Sequence, residues 1–215
     1  MVKPKSQIAQ RIEDVINFDK RVFFIFLVLI FIVIRYITNE IILEAIPGHE
    51  QLSQDGSLTF FHIFNALHYV WTPFALLWKF TLTAFILWTG AFVLGYKISY
   101  RDLWKFTLVA EIIFVFPELI KLFIFLNPAD NLTFQEIKDY YPLSLMSILD
   151  TSEIHRKYFY PLQTINLFEI VYWGLLTLGV HTFSKRSLKE SSMIVFVGYV
   201  LILFLWLFFY ILVYK

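Results

Sequence analysis

Apolar residues along this chain gather into long runs, separated by short stretches that hold most of the charge. A helical bilayer crossing needs about 20 mostly apolar residues. Five stretches satisfy that requirement. The first runs from about Val22 to Ile37 and is interrupted only near its end, by Arg35. The second runs from Pro73, whose missing N–H suits a first helical turn, to about Leu94, with Gly95 as a natural stop. The third covers about Leu103 to Leu126 and carries Glu111, Pro117, Glu118 and Lys121. The fourth runs from about Leu162 to Val180 with Glu169 inside it, and the fifth, Met193 to Tyr214, holds no charge. A cleaved leader has small residues after its apolar core; here Arg35-Tyr36-Ile37-Thr38-Asn39-Glu40 follows, so the first run reads as a retained span.

Lys and Arg in the short loops set the orientation. Residues up to Arg21 hold Lys3, Lys5, Arg11, Lys20 and Arg21, whereas the segment between Tyr36 and Pro73 has only acidic charges. Lys97 and Arg101 follow span two, and Lys185, Arg186 and Lys189 precede span five. The loop after span three is predominantly acidic. The alternation predicts a cytoplasmic N-terminus and a C-terminus on the opposite side. Trp71 and Tyr69 on the outer face, and Tyr96, Tyr100 and Trp104 on the inner, fit the aromatic belts of that frame.

The polar stretches are not free of pattern. Ile8, Ile12, Val15 and Ile16 fall on one helical face behind a capping Ser6, which predicts a short interfacial helix within a tail, residues 1–21. Leu58, Phe61, Ile63, Phe64 and Leu67 predict a second membrane-hugging helix ahead of Pro73. Thr133 and Glu136 form a capping-box pattern in the outer loop. Pro142, Leu143, Leu145 and Met146 then make that loop apolar enough to cap the bundle or meet a partner. Residues 22–215 read as one five-span, all-α membrane domain.

Composition agrees: 59% of residues are hydrophobic, 16% are charged and mean hydropathy is +0.67. A soluble domain is nearer ~45–50% apolar and ~25% charged. The net charge of +1 gives no basic field for nucleic acid, and the absence of cysteine excludes disulfides, thiolate chemistry and iron–sulfur clusters.

Ionisable groups at bilayer depth cost about 2.5–3.5 kcal/mol each on insertion scales and are functional candidates by default. Helical rise puts Lys79, Glu118 and Glu169 at one level, about 9–12 Å from the outer end of their spans. Lys121 shares a face with Glu118, and Glu111, seven residues before Glu118, lies on that face near the midplane. One reading is interhelical glue, with Lys79 pairing with Glu118 or Glu169 to fix which spans are neighbours. A second is contact with a partner, and a third is a relay for protons or an ion, for which the cytoplasmic half of span three supplies only Thr107 before Lys105. The glue reading is favoured. Gly198 in span five offers close approach to a partner helix.

No motif of nucleotide hydrolysis, dinucleotide binding, a nucleophile elbow or a zinc protease occurs. His62 and His68 do not share a helical face; Gly48-His49-Glu50 reads as surface, and Asn131-Leu132-Thr133 is an isolated sequon. No cofactor, metal or small-molecule substrate is expected.

The order of features resembles the Yip-domain proteins, multi-span membrane proteins, and their bacterial relatives. The resemblance rests on Leu94-Gly95-Tyr96-Lys97-Ile98-Ser99-Tyr100-Arg101-Asp102 after span two and on Phe116-Pro117-Glu118 in span three. It rests also on Pro161-Leu162-Gln163-Thr164-Ile165-Asn166-Leu167-Phe168-Glu169 leading into Trp173, and on the Lys/Arg hinge before span five. It implies five spans, a cytoplasmic N-terminus and an adaptor role without catalysis. The short tail leaves no large recruitment domain. The expectation is a multi-pass protein of the bacterial inner membrane, a non-catalytic adaptor or accessory subunit packing against other integral membrane subunits. The alternative is a small transporter or permease-type subunit that uses the Glu/Lys group.

Overall fold

A computed structural model of the chain describes residues 6–44, 56, 58–126, 137, 139–150 and 153–214. The regular elements among them are helical: α1 (Gln7–Ile16), α2 (Lys20–Glu44), α3 (Leu58–Val93), α4 (Tyr100–Ala110) and α5 (Val115–Phe125), then α6 (Phe159–Thr164), α7 (Leu167–Ser184), α8 (Leu188–Val195) and α9 (Leu201–Val213). Four helical stretches are long and apolar enough to cross a membrane: Lys20–Glu44, Leu58–Val93, Leu167–Ser184 and Leu188–Val213. The expected capping box at Thr133 and Glu136, the sequon at Asn131 and the Gly48-His49-Glu50 cluster lie outside the described residues.

The element boundaries depart from the expected spans in three places, each with a local cause. Pro73 does not begin a helix. It sits inside α3, a 36-residue helix that absorbs the segment expected to hug the membrane. One missing N–H costs a single rung of the ladder, and the helix runs on through it from Leu58 to Val93. The third expected span is not one helix. A 3₁₀ turn over Glu111–Phe114 separates α4 from α5, just ahead of Pro117, which has no N–H to offer the carbonyl four residues back. The fourth span starts later than expected. Asn166 is extended and its side chain accepts from the Glu169 N–H at 2.8 Å, a cap that ends α6 and begins α7.

Other signals are realised as read. Ser6 caps α1 by accepting from the Ala9 N–H at 3.2 Å. Gly95, at φ +78°, stops α3: its N–H reaches the Phe92 carbonyl and the Tyr96 N–H reaches Ala91, the paired bonds of a left-handed helix stop. The α1 helix folds back on α7, where Ser6 Oγ meets His181 Nε2 at 2.9 Å. It buries Ala9 and Ile16 and leaves Ile8 and Val15 exposed.

The core runs along α3, where Phe80, Ala84, Leu87 and Ala91 are fully buried at helical spacing. Small residues on α3 admit the last helical stretch closely. A Cβ built on Gly90 would fall 2.5 Å from Gly198 Cα. The close approach expected at Gly198 is therefore taken by the chain's own α3, not by a separate subunit. A π-helical turn over Phe196–Val200 carries that glycine between α8 and α9.

Candidate functional site

The charges between the helices fall into two groups, of which only Glu111 and Glu169 are buried. In the first, Lys79 on α3 places Nζ 2.9 Å from Glu111 Oε2. This corrects the pairing expected of Lys79 with Glu118 or Glu169: depth counted from Pro73 misjudges a helix that begins at Leu58, and the 3₁₀ turn re-aims Glu111. Glu111 has no solvent-accessible surface. Its Oε1 accepts from the Tyr172 hydroxyl at 2.8 Å, while Oε2 meets the ammonium outside hydrogen-bond angles and accepts no hydrogen bond. Lys79 Nζ also stands 3.2 Å over the centre of the Phe114 ring, a cation–π contact that offsets desolvation.

Glu169 completes this group. Its Oε1 accepts from Tyr199 at 2.9 Å and from Trp173 Nε1 at 3.0 Å. Tyr172 and Tyr199 meet edge to face with ring centres 5.8 Å apart, so the two carboxylates are joined through two tyrosines. Both backbone irregularities point here. The 3₁₀ turn supplies Glu111 and Phe114, and the π turn supplies Tyr199. Such departures from the α-helix are frequent at functional sites.

The second group joins α2 to α5. Arg35 donates to Glu118 Oε1 from Nη2 at 3.0 Å and from Nε at 3.2 Å. Lys121 lies within electrostatic reach of Glu118 and of Asp139. Glu118 and Glu169, placed at one level by helical rise, thus belong to separate groups.

Tyr141, in the segment before α6, stands near both. Burial pushes its hydroxyl well above the usual phenol range, and the carboxylates of Glu118 and Glu169 add to the shift. The residues that follow dock on the start of α7. The Leu145 N–H donates to the Ile165 carbonyl and the Leu167 N–H to the Leu143 carbonyl, each at 3.0 Å, flanking an antiparallel bridge between Ser144 and Asn166. Pro142 and Met146 are buried by this docking, whereas Leu143 and Leu145 face outward with Ile148 and Leu149. Of the four loop residues offered to a partner, two are therefore packed inside the chain. Leu143 has φ +55°, a left-handed conformation uncommon for a leucine.

Sequence reasoning overlooked Arg35 as a partner, reading it only as a break in an apolar run. It also missed Tyr172, Tyr199 and Trp173. Signals existed for some: Arg35 is an ionisable residue inside a helix long and apolar enough to cross a membrane, and Tyr172 and Trp173 follow Glu169 by three and four residues, on one helical face. No family model, curated protein or solved structure gives a significant match to this chain.

Proposed function

We propose that this protein is a non-catalytic integral membrane adaptor, an accessory subunit whose internal charges hold its own bundle while an apolar outer ledge receives another membrane subunit. The reading takes five crossings, with Tyr100–Phe125 as the bent third, a cytoplasmic N-terminus and a bacterial inner-membrane location. The loop charges and the Yip-domain resemblance support that topology.

The observation that carries the reading is the ledge at 143–149. At Leu143 and Leu145 its backbone is tied by hydrogen bonds to Leu167 and Ile165, yet Leu143, Leu145, Ile148 and Leu149 are 53%, 40%, 77% and 50% exposed. A rigid segment holding leucines outward, one of them at positive φ, resembles a prepaid contact surface more than a solvated connection. The paired ionisable groups favour the same reading. Arg35, Lys79, Glu111, Glu118 and Glu169 all have partners within the chain. Such pairs specify which helices are neighbours.

A photo-crosslinking amino acid at Ile148, introduced into the chain in its native membrane, tests this. The expected product is a crosslink to one distinct integral membrane protein. Crosslinks to lipid alone would contradict the adaptor reading.

A second reading is a small transporter. The meeting of the 3₁₀ turn and the π turn at two carboxylates and one lysine favours it, because interrupted helices form ion sites in transporters. A cation or proton flux in proteoliposomes that Glu111→Gln abolishes would establish that reading in place of the first.

A further inference from the structure

A groove of about 400 Å³ lies at the opposite end of the bundle from the ledge, between the start of α2 and the start of α4. Four of the side chains around it are cations: Lys20, Arg21, Arg101 and Lys105. Its remaining lining is apolar: Phe24, Ile25 and Trp104. Among the described residues lining it there is no carboxylate.

Helical spacing explains the arrangement. On α2 the cations occupy the first turn and Phe24 and Ile25 the next, on the same side. On α4, Arg101, Trp104 and Lys105 are spaced i, i+3 and i+4, and so share a face. Charge therefore collects toward the helix starts and apolar surface runs away from them along the bundle. Lys20 and Lys105 repel each other across the site, a cost that a bound anion would relieve. On their far side Lys20 and Lys105 also line a neighbouring cavity that holds Glu13, Asp14 and Asp102. Asp19 caps α2 by accepting from the Arg21 N–H at 2.8 Å and also attracts Lys20, whereas Arg21 and Arg101 line the groove and not the acidic cavity. Trp104 is fixed in place, donating from Nε1 to the Thr81 hydroxyl at 3.0 Å.

The geometry points to a binding site for an anionic phospholipid, with the phosphate among Arg21, Arg101 and Lys105 and one acyl chain along Phe24, Ile25 and Trp104. Two observations select a lipid. Arg21 and Arg101 face a lining without carboxylates, and the apolar half continues onto the outward face of a helix long enough to cross a membrane, where Val22, Ile25 and Phe26 are 64%, 58% and 57% exposed. Basic pockets between spanning helices at a membrane surface bind anionic headgroups in this way. Lys20 contributes charge more than contact, since its ammonium already donates to the Ile16 and Phe18 carbonyls.

The full-length protein, released from detergent in native mass spectrometry after exposure to equal amounts of phosphatidylglycerol and phosphatidylcholine, tests the site. The expected result is preferential retention of one phosphatidylglycerol. The pair Arg101→Gln and Lys105→Gln should weaken that retention about 25-fold, at about fivefold for each basic residue removed near the surface. Arg21→Gln alone should weaken it about fivefold. Lys185→Gln with Lys189→Gln removes the same charge outside the groove and should leave retention unchanged. Equal retention of both lipids, or an equal loss in the Lys185/Lys189 pair, would overturn the inference. Binding of glycerophosphoglycerol, the headgroup without acyl chains, as tightly as the whole lipid would overturn it too and assign the groove to a soluble anion.

Discussion

Lys79 Nζ lies 2.9 Å from Glu111 Oε2, bringing a lysine of the longest helix against a carboxylate on a 3₁₀ turn that is wholly shielded from solvent. The contact ties α3 to the bent α4–α5 segment. Tyr172 extends the tie to α7 through the other carboxylate oxygen. Three helical segments thus converge on one side chain.

Glu111→Leu leaves Lys79 without its counter-charge, and Lys79→Met leaves the carboxylate unmatched. Each single variant should be destabilised, and the double variant should recover part of the loss. A coupling of about 0.5–3 kcal/mol is expected for groups in one network. Reversible unfolding in bicelles across the four-member cycle reads it; additive losses would show that the pair is not a structural tie.

Tyr199→Phe removes one of the two donors that Glu169 Oε1 accepts, with little change in shape. Interhelical hydrogen bonds in membranes average about 0.6 kcal/mol and reach about 1.7. The same unfolding measurement should give a loss in that range.

Gly90→Val inserts a side chain where even a Cβ would stand 2.5 Å from backbone of Gly198. Neither neighbour has a side chain to move aside. Overpacking of this kind costs about 1–3 kcal/mol or more, and a lowered melting temperature is the expected outcome, with a smaller loss on Gly198→Val, whose Cβ would stand 3.2 Å from Gly90 Cα.

These places also show what the sequence makes legible. Apolar runs locate the bundle because lipid-facing and core-facing positions are both apolar, and the caps at Ser6 and Gly95 are local chemistry that a few residues specify. Pairing is different. Whether Lys79 reaches Glu111 or Glu118 depends on where α3 begins and on a turn that Pro117 induces several residues upstream. A one-dimensional count of depth carries neither. Gly198 shows the same limit: its small size announces close approach, but only the fold reveals that Gly90 is the neighbour.

The Tyr141 hydroxyl has its pKa raised by burial and by the nearby carboxylates. A raised value in the folded state means that the folded protein holds this proton more tightly than the unfolded chain does. The stabilisation is complete below the usual phenol value of about 10 and is lost as pH rises through the folded value. Stability should therefore fall in alkali from about pH 10 upward, and Tyr141→Phe should flatten this part of the profile.

Asn166→Ala removes the cap on Glu169 and the side-chain bonds to the Gln163 and Thr164 carbonyls, at 3.0 and 2.9 Å. The cap alone is worth about 0.5–2 kcal/mol. Hydrogen exchange should quicken at the Leu145 and Leu167 amides, which bridge the ledge to α7, while amides in the middle of α3 stay protected.

The adaptor role is tested most directly by gentle nanodisc extraction of the tagged protein from its own membrane, with mass-spectrometric counting of what accompanies it. The expected result is a stoichiometric integral membrane companion that is lost when Leu143 and Leu145 are changed to asparagine and kept when Glu111 is changed to glutamine in a folded chain. Recovery of the chain alone, or a companion indifferent to the ledge, would contradict it.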